Sequence, residues 1–124
     1  MEELLGHWSV DHGYHSSMED EWLFLRPDGT GWYEYLRPSY ADRTAFRWEP
    51  AGAGRVRVRA DEQVTTDESG EERTAIEIDE TVPYEITTGT RPLLDEPVRL
   101  LRIGLPFGLG EQFAFRSAGE PSPA

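Results

Sequence analysis

Short runs of alternating apolar and polar residues, broken by Gly, Pro and Asp, run along nearly the whole chain. A period of two is the pattern of antiparallel sheet. Strands are predicted over residues 4–10, 21–26, 30–37, 44–50, 55–60 (with a continuation toward 66), 73–79, 81–88, 98–103 and 112–116. Pro27-Asp28-Gly29 between the second and third is a turn: Pro presets φ and Gly supplies a positive φ. Residues 11–20, rich in His, Gly, Ser and acid, read as a loop or one helical turn, and residues 51–54 and 67–72 as tight tips. In 55–60 valine alternates with arginine, so Val56 and Val58 face the core while Arg55, Arg57 and Arg59 face water. Ile76 and Ile78 return inward, which sets Arg57 and Arg59 near Glu77 and Asp79 across the ladder. Pro83 marks an edge position or a bend.

Eight or nine strands in sequential hairpins, with hardly any helix, have two good solutions, an up-and-down barrel or a sandwich. Closure removes both sheet edges, which favours the barrel. One domain is expected over residues 1–116, followed by a flexible Ser-, Gly- and Pro-rich tail over 117–124. The 124 residues suffice for a single core. Hydrophobic residues are only 37%, but four Trp, five Tyr and five Phe supply large buried areas.

The net charge of -12 disfavours nucleic acid and anionic membrane surfaces as partners. All 12 basic residues are Arg, the signature of a high-GC bacterial genome. The absence of Cys excludes disulfides and thiolate sites. Met1-Glu2-Glu3-Leu4-Leu5 lacks the basic and apolar regions of a secretion signal, and no apolar run is long enough to span a bilayer. A cytoplasmic location is expected.

Leu5-Gly6-His7-Trp8 resembles the Gly-x-Trp signature that opens lipocalins and related calycin barrels. The hairpin carrying Pro27-Asp28-Gly29-Thr30-Gly31-Trp32, followed by Phe46-Arg47-Trp48, resembles a short bacterial lipocalin-like domain. The resemblance covers the strand order across most of the chain, its motif match is confined to Gly6 and Trp8, and the second lipocalin signature, a Thr-Asp-Tyr type turn, is absent. It implies an all-β, antiparallel up-and-down β-barrel of about eight strands. It also implies that Trp8 plugs the closed end, that Gly6 permits close backbone approach, and that an Arg at the end of the last strand packs over the indole. Arg116 is the candidate for that partner and Arg102 the second.

His7, His12 and His15 lie close together, with Asp11, Glu19 and Asp20 nearby. Imidazole and carboxylate suit Zn, Ni or Cu, but the spacing matches no standard zinc motif and His7 faces opposite to Trp8. No metal, haem or other cofactor is expected. Ser16-Ser17 and Ser69 lack a Gly-x-Ser-x-Gly context, and Gly29-Thr30-Gly31 and residues 104–110 lack the Lys and following helix of a phosphate loop. No catalytic residue is assigned. Tyr33, Glu34 and Tyr35 with Arg47 and Glu49 offer polar groups on neighbouring strands; Glu34, Arg47 and Glu49 are expected to form an exposed charge ladder, although an inward carboxylate with a raised pKa would serve as acid or base.

Trp22, Phe24, Trp32, Phe46, Trp48, Val56, Val58, Ile76, Ile78, Phe113 and Phe115 are the candidate interior positions. They either fill the core or line an apolar cavity, since eight strands enclose room for packed side chains or one small ligand. The expected function is binding of a small apolar or aromatic ligand in the interior, with Trp22, Phe24, Trp32, Phe46 and Trp48 as its wall. The alternative is a non-enzymatic protein-interaction module with a filled core, using an exposed sheet face or the apolar loop Leu105-Pro106-Phe107-Gly108-Leu109. That loop is a contact surface, a lid over one barrel end, or simply a buried hairpin end. A barrel enzyme is the third class.

Overall fold

The computed structural model describes residues 2–14 and 18–121. A single 3-10 turn, Glu2–Leu4, precedes eight strands: β1 (Gly6–Ser9), β2 (Asp20–Leu25), β3 (Thr30–Arg37), β4 (Tyr40–Pro50), β5 (Arg55–Asp67), β6 (Gly70–Gly89), β7 (Val98–Ile103) and β8 (Gln112–Ser117). Each pairs antiparallel with the next, and β8 returns to β1, so the sheet is a closed up-and-down barrel. Among the described residues no helix is long and apolar enough to cross a membrane.

Closure passes through Gly6. Its φ is +113°, and a Cβ there would lie 2.8 Å from both the Phe115 ring and the Ser117 carbonyl oxygen. Only glycine accepts both the backbone conformation and the close approach of β8. The β1–β8 pairing shifts register between His7 and Trp8, immediately after this contact.

The predicted strands over 73–79 and 81–88 are one strand, β6, of 20 residues. Pro83 pairs with Arg55 at the end of the β5 ladder, and the β7 ladder starts at Tyr84 opposite Ile103. The proline sits at this handover between partners, where a missing N–H is tolerated. Register shifts between Thr44 and Arg47 on β4, and between Ala60 and Glu62 on β5, bend the sheet. Beyond them the hairpin ends of β3–β4 and β5–β6 extend as an arm. Along Gly70–Pro83, β6 has β5 as its one neighbour among the described residues.

The barrel encloses one cluster of buried apolar side chains. Leu4, Trp8, Leu23, Val56, Val58, Leu101 and Phe113 are at most 1% exposed. The Trp8 indole N–H, which needs an acceptor when buried, donates to the Leu4 carbonyl at 3.0 Å. The cation over Trp8 is Arg99, 5.7 Å from its ring and 4.0 Å from that of Phe115. Arg116 does not take this place: it lies 5.7 Å over Trp22. Strand alternation explains the correction, because Arg99 shares the inward face of Leu101 and Ile103, whereas Arg116 lies on the face opposite Phe113 and Phe115. Arg102 is exposed and pairs in register with Glu85 and Gln112. On the outer surface the Arg57 guanidinium donates to both carboxylate oxygens of Asp79, at 2.8 and 2.6 Å, as the alternation of β5 and β6 predicts.

Candidate functional site

The β7–β8 loop turns into one end of the barrel. Leu105 is buried in the core, and the Phe107 ring packs 5.8 Å from Tyr33 and 5.2 Å from Phe46. Tyr33 comes from β3 and Phe46 from β4. Phe46 is free to lean across because Gly31 opposite it has no side chain. Leu109 at the loop's far side is 74% exposed. The loop is therefore a lid with an inward and an outward apolar residue.

A carboxylate holds the lid. Glu21, on the inward face of β2 and buried, accepts from the Tyr33 hydroxyl at 2.5 Å and from the backbone N–H groups of Leu109 and Gly110 at 2.9 and 2.8 Å. Burial and the adjacent Glu21 carboxylate push the Tyr33 hydroxyl well above its ordinary pKa, so it stays a donor. With three donors aimed at it, Glu21 anchors the lid. Beside the lid lies an open cavity of about 350 Å³ whose lining includes Val10, Asp11, Asp20, Glu21, Tyr35 and Leu109. Asp20 organises its rim, accepting from the Ser9 hydroxyl, the Asp11 amide and the Trp22 indole. Tyr33 is legible in the sequence only as a polar group beside Glu34, and Glu21 not at all, because the amides that complete the latch are 88 and 89 residues away from the carboxylate.

Of the five residues expected to wall a ligand, Phe46 and Trp48 belong to the inner core. Trp22, Phe24 and Trp32 do not line the interior; they alternate with Leu23, Leu25 and Tyr33 and form an aromatic layer on the outer face of β1–β3. Phe24 stacks on Trp32 at 5.9 Å, Arg43 covers Trp32 at 4.1 Å, and the His7 ring meets Trp22 edge-on at 4.9 Å. The C-terminal segment crosses this layer: Glu120 accepts from the Trp32 indole at 3.1 Å and from two Arg26 nitrogens at 2.7 and 2.8 Å. Phe24 and Trp32 are thereby buried although they point outward.

Two polar groups are sealed into the same outer layer. Among the described residues, His7 Nε2 and Glu34 Oε1 are buried without a hydrogen-bond partner. Burial, aided by the Arg116 charge, lowers the His7 pKa to about 4. Burial raises the Glu34 pKa against the opposing pull of Arg43. Glu34 is thus not part of an exposed ladder with Arg47. Its cross-strand neighbours are Trp22 and Arg43, whereas Glu49 does join Arg57 at the surface. His15, Ser16 and Ser17 lie outside the described residues; among those described, no group of three or more His, Asp or Glu is arranged to hold a metal ion.

Comparison of the chain with protein families, with curated proteins and with solved structures finds no match. The fold and the lid define an eight-stranded antiparallel barrel with one buried apolar core and one end closed by a latched apolar loop.

Proposed function

We propose that the protein is a non-enzymatic, lipocalin-like binding barrel that takes one small aromatic or apolar molecule at its lidded end. The reading is carried by the position of Phe107 against Tyr33 and Phe46. Deeper in the barrel, Trp8, Leu23, Leu101 and Phe113 are almost wholly buried. Phe107 is different: it sits on a loop, is only half-buried, and its loop is fixed by the Glu21 latch. A planar apolar ligand would take the place of that ring, and the acidic rim would favour a neutral or cationic one over an anion. A cytoplasmic bacterial setting accompanies this reading on the strength of the sequence composition.

Indole is a suitable probe. NMR spectra of the full chain titrated with indole are expected to shift the ring signals of Tyr33, Phe46 and Phe107, and Phe107→Ala is expected to bind indole more tightly because the lid ring no longer competes. Absence of ring shifts in both folded proteins overturns the reading.

A further inference from the structure

We propose that the free edge of β6 over Gly70–Pro83 is a strand-addition site for an extended peptide in which basic and aliphatic residues alternate. Backbone geometry supplies the first argument. This stretch pairs with β5 on one side only, and the β7 ladder begins at Tyr84, so a row of main-chain donors and acceptors is open to a further strand.

Side-chain chemistry supplies the second. On one face, Ile76 and Ile78 pack only partly against the core and border the free edge. On the other face lie Glu77 and Asp79. Residues 68–80 hold six carboxylates (Glu68, Glu71, Glu72, Glu77, Asp79 and Glu80) against one arginine, Arg73. Arg73 is engaged by Glu62 and Glu71, and Asp79 by Arg57. Glu72, Glu77 and Glu80 are exposed and, among the described residues, make no ion pair or side-chain hydrogen bond. A strand with aliphatic residues on one face sets them beside Ile76 and Ile78, and its basic residues on the other face meet Glu77 next to the Arg57–Asp79 pair.

The same charges decide against a second copy as the occupant. Two such edges brought together would place acid against acid within a chain whose net charge is already -12. A basic strand reverses the sign of that interaction.

The test uses the full chain and the peptide acetyl-Lys-Val-Lys-Val-Lys-Val-Lys-amide at low salt, followed by amide NMR. The expected result is binding with amide shifts concentrated over residues 70–83, and weakening of about tenfold or more both for Glu77→Lys and for the same peptide methylated on alternate backbone nitrogens. The methylated peptide keeps every charge but cannot complete the ladder. Equal binding of the two peptides, shifts confined elsewhere, no binding, or a dimer by light scattering each overturns the proposal.

Discussion

The Tyr33 hydroxyl donates to the Glu21 carboxylate at 2.5 Å, diagonally across the β2–β3 ladder. The carboxylate's other donors are the amides of Leu109 and Gly110, so one side chain fastens β2 and β3 to the loop that closes the barrel. The joint is polar inside an apolar end. Its removal leaves unpaired groups, which is more damaging than losing the bonds alone.

Glu21→Ala is therefore expected to destabilise the protein by about 2–4 kcal/mol, because the Tyr33 hydroxyl and two amides lose their acceptor together. Tyr33→Phe, which leaves the two amides satisfied, should cost only about 1 kcal/mol. Urea unfolding measures both. Hydrogen exchange should show the Leu109 and Gly110 amides opening in the Glu21 variant but remaining protected in Tyr33→Phe. Equal protection in the two variants would remove the latch.

The strands were readable from the sequence where only one face is apolar. Alternation in Arg55–Arg59 and the Pro27-Asp28-Gly29 turn correspond to β5 and to the β2–β3 connection. β2 defeats the same reasoning: in Asp20-Glu21-Trp22-Leu23-Phe24-Leu25 both faces carry large apolar residues, and the inward one begins with a glutamate. Period two then cannot say which face is inside, and the larger aromatics point out. What covers that outer face is the C-terminal segment held by Glu120, 94 residues from Arg26 in the chain. The partner of Trp8 was hidden for a related reason, since choosing between Arg99 and Arg116 requires the register of β7 and β8.

The Trp8 assignment has a direct consequence. Arg99→Met should cost about 0.5–1 kcal/mol through loss of the cation over Trp8 and Phe115, and should alter the Trp8 emission. Arg116→Met should leave Trp8 unaffected and perturb Trp22 instead. Fluorescence of proteins retaining only Trp8 or only Trp22 separates the two; a Trp8 response to Arg116→Met would contradict the geometry.

Gly31 is required by space rather than by backbone conformation. An added Cβ would lie 2.5 Å from the Phe24 carbonyl oxygen and 3.0 Å from the Phe46 ring. The carbonyl belongs to the β2–β3 ladder and cannot yield easily. Gly31→Ala is expected to destabilise by about 2–3 kcal/mol. It should also displace Phe46 and with it Phe107, so thermal unfolding and the ring spectrum of Phe107 are both informative. A variant as stable as the native chain, with Phe107 unmoved, would show that the contact relaxes freely.

His7 and Glu34 should give stability two opposed slopes with pH. The His7 pKa falls from 6.5 to about 4 on folding, so the unfolded chain binds more protons between those values. Its contribution is full above pH 6.5 and is lost as the pH falls toward 4, by up to about 3 kcal/mol. Glu34 acts in the other direction. Its pKa is raised on folding, so its contribution is full below the ordinary value near 4.5 and is lost as the pH rises through the folded value. His7→Gln should flatten the acid side of the stability profile, and Glu34→Gln should raise stability at neutral pH while changing little at pH 4. Urea midpoints measured from pH 4 to 8, with the His7 ring protons titrated by NMR, test both. An acid slope unchanged in His7→Gln, or an imidazole that titrates near 6.5, would mean that water reaches His7 despite its burial beside Trp22.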